Sequence, residues 1–363
     1  MRARVLLEDG SLFEGESFGA KGTSVGEVVF NTSMTGYQEI LTDPSCCGQI
    51  IAMTYPLIGN CGITRDDFES MRPHAQGLLV KEYAEFPSNW RSQMTLSQFL
   101  KEYGIIGISG IDTRMLTRKI RLHGTMKAVL TTEDMSMEEL KERMNTPLMR
   151  DQVARVSTKS IHFSPNTGKR VVLIDLGAKH NLVRGLAAKN YEVITVPYNT
   201  SAEEILRFRP DGIMLSNGPG NPKDVPETIY IIRQLLGKAP VFGVCMGHQL
   251  LALACGADTE KMKFGHRGGN QPVKELQSGN TIITSQNHGY VVTKESLKGT
   301  GLEITHIALN DGSIEGLAHQ SLPCFSVQYH PELAPGPRES ESLFDRFDKL
   351  MESFAEKGES VHA

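Results

Sequence analysis

Pro240-Val241-Phe242-Gly243-Val244-Cys245-Met246-Gly247-His248-Gln249-Leu250 is the stretch on which the reading of this chain turns. A short apolar run leads straight into Gly-x-Cys-x-Gly and then into a helical pattern, the arrangement of a nucleophile elbow with cysteine in place of serine. In so sharp a turn the backbone and the helix come close, and glycine at 243 and 247 removes side chains that would collide there. The Cys245 thiol is then presented at the tip of a sheet. It also stands at a helix N-terminus, where the partial positive charge favours the thiolate and the Met246 backbone N–H is available as an oxyanion donor. Cys255 and Cys324 lack such surroundings and read as core cysteines.

Outward from the elbow, the pattern on its N-terminal side is regular. Apolar runs at Val171 to Leu176, Val193 to Val196, Gly212 to Leu215 and Val241 to Val244 alternate with helical stretches at Asn181 to Asn190, Ala202 to Phe208, Thr228 to Leu236 and His248 to Cys255. Such alternation predicts an α/β fold with a doubly wound, mostly parallel sheet. Beyond Gly279 hairpins are expected, with Ile304 to Leu309 and Ser313 to Ala318 flanking the turn Asn310-Asp311-Gly312. The first 130 residues are Gly-rich and strand-like, with helices expected at Thr95 to Tyr103, Thr113 to Leu122 and Met135 to Met144. They predict a β-rich α/β N-terminal domain over residues 1–150. Loop signals at Pro165, Asn166 and Gly168 suggest a linker over 151–170, the doubly wound domain then running over 171–355 and a polar tail over 356–363.

The 363 residues are enough for two such cores, at about 150 residues per domain. Thirty-eight basic against 42 acidic side chains give a formal charge of −4, which argues against a nucleic-acid binder held by a basic face. No apolar run is long enough to cross a membrane and the N-terminus reads as a strand, so no membrane association and a cytoplasmic location are expected. The six cysteines have irregular spacing with no CxxC pair, which supports neither a disulfide framework nor a zinc site; no metal is expected.

A cysteine nucleophile needs a base, and the base needs an orienting group. Phe325-Ser326-Val327-Gln328-Tyr329-His330-Pro331-Glu332 supplies both: an alternating strand ends at His330, Pro331 stops the ladder, and Glu332 can return to hold the imidazole. Leu215-Ser216-Asn217-Gly218-Pro219-Gly220-Asn221-Pro222 ends an earlier strand in a Gly/Pro-rich loop suited to a backbone nest and a second oxyanion N–H. His248 and His288 are expected to make structural hydrogen bonds, and the methionines at 135, 137 and 144 to pack a helix. The basic residues from Arg114 to Arg121 are expected on a solvated or subunit-facing helix side.

Ser216 to Pro222, Gly243 to Gln249 and Tyr329 to Glu332, in that order and spacing, resemble the class I (triad) glutamine amidotransferases. The resemblance implies Cys245 as nucleophile, His330 as proton shuttle and Glu332 as its orienting carboxylate, acting through a glutamyl thioester on L-glutamine. The N-terminal part, in Gly26 to Thr32, Met34 to Ser45, Thr54 to Asn60 and Gly110 to Arg114, with Ser285-Gln286-Asn287-His288-Gly289-Tyr290, is similar to the small-subunit family of carbamoyl-phosphate synthetase. That family implies a glutamine pocket formed by Ser45, Gly218, Gly220, Met246, Gln249, Asn287, Gly289 and Tyr290. It further implies a heterodimer with a large subunit that consumes MgATP and bicarbonate to make carbamoyl phosphate for arginine or pyrimidine biosynthesis. No cofactor is expected in this chain, which has no G-x-x-x-x-G-K-[ST] phosphate loop. The alternatives are an amidotransferase subunit of another synthase, or a catalytically silent regulatory subunit.

Overall fold

Short strands with apolar residues on both faces need cover on each, and in the first part of this chain they find it by closing on themselves. The computed structural model describes residues 1–332 and 342–362, and the chain divides into two units, Met1–Arg150 and Asp151–Ala363. In the first, seven strands form a closed barrel in the order Arg2–Leu7, Leu12–Ser17, Ile106–Ser109, Gly77–Leu79, Gln49–Met53, Thr23–Asn31 and Met126–Thr131. Val29, Ile51 and Leu78 pack with Leu41, Phe99 and Leu100 of the helices Tyr37–Thr42 and Leu96–Glu102, while Val28, Ile50 and Leu130 are buried on the other face. The three expected helices are present as Leu96–Glu102, Thr113–His123 and Met137–Met144. Thr95 with Gln98 and Ser136 with Glu139 start the first and third with reciprocal side-chain caps.

The second unit holds one ten-stranded sheet. Glu192–Pro197, Arg170–Asp175, Gly212–Leu215, Val241–Val244 and Cys324–Val327 lie side by side and parallel in that order, the doubly wound sheet that the alternation predicts. Consecutive residues of one strand serve opposite layers. Val172, Ile174, Ile213, Leu215 and Val241 pack with Ile205, Ile232, Leu250 and Leu251 of the helices Ala202–Arg207, Pro226–Leu235 and Met246–Ala254. Val171, Leu173, Met214 and Phe242 pack with Leu182 and Leu186 of His180–Ala188 and with Phe344, Phe347 and Met351 of Ser342–His362.

Three expectations are corrected. The supposed linker over 151–170 folds within the second unit, as the helix Gln152–Val156 and the strand His162–Ser164, which adds antiparallel to Glu192–Pro197 at the sheet edge. The hairpin region starts before Gly279: Thr259–Glu275 pairs with Thr281–Val292, and Leu302–Ala308 and Ile314–His319 join both to the parallel half. Glu356 lies inside the helix Ser342–His362 and does not begin a tail.

Phe242 has no solvent exposure and stacks on Phe325 with ring centroids 4.5 Å apart, flanked by Phe344 and Phe347. Phe242→Ala therefore leaves a cavity between sheet and helices and is expected to destabilise the second unit by about 3–5 kcal/mol, with Phe242→Leu costing less. Urea unfolding checks this; equal midpoints for wild type and Phe242→Ala would contradict the packing described.

Candidate active site

The parallel strands all end at one edge, and the segments that follow them meet there, as open α/β sheets dispose their sites. Leu176 to Lys179 follows Arg170–Asp175, Ser216 to Gly220 follows Gly212–Leu215, Cys245 follows Val241–Val244, and His330 comes shortly after Cys324–Val327.

The elbow is as tight as its glycines suggest. Cys245 adopts φ 53° and ψ −103°, a conformation that costs a non-glycine residue about 1–3 kcal/mol. A Cβ on Gly243 would lie 2.6 Å from the Gly247 carbonyl oxygen, and one on Gly247 would lie 2.4 Å from that of Leu215. The strain is held by backbone hydrogen bonds on both sides: Cys245 N–H donates to Val327 O at 2.9 Å and Gly247 N–H to Ser216 O at 3.0 Å. Met246 is the first helical residue, where an N–H has no intrahelical acceptor. Gly218 is similarly constrained, since a Cβ there would lie 2.4 Å from Leu176 O, and Gly220 has φ +88°.

His330 is buried against this turn. Its backbone N–H donates to Ser285 O at 2.9 Å, and its ring Nδ1 lies 2.6 Å from Glu332 Oε1. Nδ1 therefore carries a proton to the carboxylate, and Nε2, which makes no full hydrogen bond with the protein, lies beside Cys245. Lys179, which the sequence reading missed, stands behind the pair: its Nζ is 3.1 Å from Glu332 Oε1, both side chains being almost wholly buried. Burial and the Lys179 ammonium oppose the imidazolium, but Glu332 and Cys245 outweigh them and raise the His330 pKa to about 10. Burial also opposes the Glu332 carboxylate, yet Lys179 and His330 hold its carboxyl well below the usual range. The missed lysine has a signal in the sequence, because Gly177-Ala178-Lys179 immediately follows a parallel strand at the edge that carries the other groups.

Gln249 Nε2 donates to Tyr290 O at 2.8 Å and to Gln328 Oε1 at 3.0 Å, and Cys245 Sγ is 3.8 Å from Asn287 O. Thus Met246, Gln249, Asn287, Gly289 and Tyr290 lie on the elbow helix and on the strand Thr281–Val292 that runs past it, while Gly218 and Gly220 occupy the loop tied to the elbow through Ser216. Ser45 lies in the first unit, buried in the turn Pro44–Cys46, where its N–H donates to Asp43 Oδ1 at 2.8 Å. His248 Nδ1 is 2.9 Å from Ser326 Oγ, and burial, with the charge of His306, pushes its pKa down to about 3, so it serves as a neutral structural group. The six cysteines form no disulfide with one another, and no described helix is long and apolar enough to cross a membrane.

The charge chain sets a pH dependence. The raised His330 pKa contributes stability that is fully present below its unfolded value, about pH 6.5, and is lost as pH rises toward about 10. The depressed Glu332 pKa contributes stability that is present above about pH 4.5 and is lost as pH falls below it. His330→Asn is expected to flatten the decline on the alkaline side, which urea midpoints at about pH 6 and about pH 9 would show. Parallel declines for the two proteins would contradict it.

Residues 5–130 match the family described as "Carbamoyl-phosphate synthase small chain, CPSase domain", and residues 172–350 match "Glutamine amidotransferase class-I". The chain is 60% identical over 364 residues to the "Carbamoyl phosphate synthase small chain" of Bacillus caldolyticus, covering 100% of both chains. It is 58% identical over 362 residues to the "Carbamoyl phosphate synthase pyrimidine-specific small chain" of Bacillus subtilis (strain 168), covering 99% of each. To the protein of that same description from Halalkalibacterium halodurans it is 60% identical, over 97% of this chain and 98% of the other. An elbow cysteine, a carboxylate-bound histidine and both family matches in one chain lead to one conclusion: it belongs to the carbamoyl-phosphate synthase small-chain family and carries a class I glutamine amidotransferase domain.

Proposed function

We propose that Cys245, His330 and Glu332 form the triad that hydrolyses L-glutamine, and that the ammonia released passes to a large synthetase subunit with which this chain forms a heterodimer. The observation that carries this reading is the placement of His330, with Nδ1 on Glu332 and Nε2 free beside Cys245. With its proton already held on Nε2 of the imidazolium, Sγ attacks the carboxamide carbon of glutamine, and the tetrahedral oxyanion is met by the Met246 N–H and an N–H of the Ser216 to Pro222 loop. The imidazolium then gives its proton to the departing nitrogen, so ammonia leaves and a γ-glutamyl thioester remains on Cys245. Water, deprotonated by the same Nε2, attacks the thioester; the C–S bond breaks, glutamate leaves and the thiolate stands again beside the imidazolium. Glu332, kept ionised by Lys179, holds the ring and stabilises the imidazolium through both halves.

In this reading Gly218, Gly220, Met246, Gln249, Asn287, Gly289 and Tyr290 surround the substrate, supplying polar and backbone groups for its ammonium and carboxylate. The chain needs no cofactor of its own, and MgATP and bicarbonate are used by the large subunit. The "pyrimidine-specific" names of two relatives favour pyrimidine biosynthesis as the destination of the product.

The test is carbamoyl-phosphate synthesis by the chain assembled with its large subunit, driven either by glutamine or by an ammonium salt. Cys245→Ser is expected to lose about 10³-fold or more of the glutamine-driven rate and to retain the ammonia-driven rate. Glutamine-driven synthesis that survives in the serine variant would rule out the triad.

A further inference from the structure

The strand Thr281–Val292 has a second face. Asn287 and Gly289 point to one side; Gln286 and His288 point to the other, where the ring of His266, directly across the strand pair, meets that of His288 edge to face at 5.1 Å. The strand Ile314–His319 adds the buried Glu315 to this group, and the turn before it adds Asp311 at its half-exposed edge. Residues 266, 288 and 315 are too far apart for any sequence spacing to join them, and the sequence reading gave His288 only a structural hydrogen bond.

Hydrogen bonds join Asp311, His266, Gln286 and Glu315, and the edge-to-face ring contact of His266 carries the group on to His288. Asp311 Oδ2 accepts from His266 Nε2 at 2.9 Å, and His266 Nδ1 donates to Gln286 Oε1 at 2.8 Å. Gln286 Nε2 donates to Glu315 Oε2 and to Thr284 Oγ1, each at 3.1 Å; burial keeps the His288 ring neutral, so its Nε2, 3.0 Å from Gln286 Oε1, only packs against that oxygen. The other Glu315 oxygen lies 3.4 Å from His266 Nδ1 and 3.7 Å from His288 Nε2. At its far end the group reaches the candidate pocket, because His288 Nδ1 donates to Tyr290 O at 2.9 Å, the carbonyl that also accepts from Gln249 Nε2 at 2.8 Å. One carbonyl thus takes a hydrogen bond from the buried network on one side and from a pocket residue on the other.

His266, His288 and Glu315 could be read as metal ligands, since their ligand atoms lie within 4.8 Å of one another. The geometry favours a proton instead. Both His266 nitrogens are committed to acceptors, and although burial opposes it, Asp311 and Glu315 raise its pKa to about 9; an imidazolium cannot ligate, and burial pushes the Glu315 carboxyl up to about 7, which makes it a poor ligand as well.

We propose that His266, Asp311 and Glu315 are positioning residues for glutamine binding: acting through Gln286 and His288, they fix the Tyr290 carbonyl and so the Gln249 side chain, without taking part in the chemistry of Cys245. The proposal rests on the reading of Gln249 and Tyr290 as pocket residues. It separates binding from chemistry, because the network touches the substrate strand and leaves the Lys179–Glu332–His330 chain intact.

The experiment measures KM and kcat for glutamate release from glutamine, with the full chain assembled with its large subunit, for wild type, Asp311→Asn, Glu315→Ala and Glu315→Gln. Alkylation of Cys245 by iodoacetamide, which bears no glutamine backbone, is followed alongside. Glu315→Ala is expected to raise KM about tenfold or more with kcat within about threefold and alkylation unchanged, and Glu315→Gln to restore KM toward wild type. Asp311→Asn, at a part-exposed turn that tolerates the change, is expected to raise KM in the same direction and keeps the test available if the alanine variant does not fold. Unchanged KM in folded variants, or a fall in kcat with constant KM, would overturn the inference while leaving the triad reading standing. A stoichiometric metal in the wild type, lost in Glu315→Ala, would overturn it in favour of a metal site. A wild type with no glutaminase activity would overturn the functional reading and this inference with it.

Discussion

The conformation of Cys245 is the constraint around which the second unit is built. A non-glycine residue at φ 53° and ψ −103° persists only if its neighbours leave the backbone no cheaper course. Here the N–H of Cys245 is bonded to the next parallel strand at Val327, and the N–H of Gly247 to Ser216 at the end of the strand on the other side. The helix Met246–Ala254 can start this close to the sheet because positions 243 and 247 carry no Cβ. The doubly wound architecture is thus a clamp as well as a scaffold: parallel strands on both sides hold the turn, and the layers beneath and above, built on Leu250 and Phe242, resist its relaxation.

A second constraint is electrostatic. Lys179, Glu332 and His330 are almost completely buried, and a single buried charge would carry a heavy desolvation penalty. In a row they compensate one another, and the row has a direction: the ammonium fixes the carboxylate, the carboxylate fixes the proton on Nδ1, and Nε2 is left facing the sulfur. The raised pKa of His330 reflects this arrangement, because Glu332 and Cys245 together outweigh burial and Lys179. The network of Asp311, His266, Gln286 and Glu315 follows a related rule on the other side of the strand Thr281–Val292, where a half-exposed Asp311 and a buried Glu315 face the buried His266 imidazolium. Two separate charge systems therefore border the same strand, one tied to the elbow and one to the carbonyl that holds Gln249.

The alternation of apolar runs and helical stretches from Val171 onward made the parallel half of the sheet legible, because a strand covered on both faces must be apolar throughout and its crossover helix amphipathic. The glycines flanking Cys245 and the His330-Pro331-Glu332 ending were legible for a related reason, since each marks a local backbone event. The supposed linker was misread because His162–Ser164 is a short exposed edge strand whose composition matches a loop; its pairing with Glu192–Pro197 is what makes it a strand. The tail was misread because a polar face on the helix Ser342–His362 looks the same as no structure when its apolar partners Leu343, Phe344 and Phe347 lie several residues earlier.

By itself, then, the sequence determined the class of fold, the elbow and the three residues offered as nucleophile, base and orienting group. These rest on local rules, on which residues a tight turn, a strand end or a helix start will accept, and such rules act over a few neighbouring positions. Only the tertiary structure decided that the seven barrel strands close, that Lys179 stands behind Glu332, and that His266, His288 and Glu315 share one buried space with Asp311 at its edge. Those facts depend on contacts between positions tens to more than a hundred residues apart. A buried charge is tolerable only beside its partner, so its place was fixed by the packing of the whole sheet, which no short stretch of sequence records.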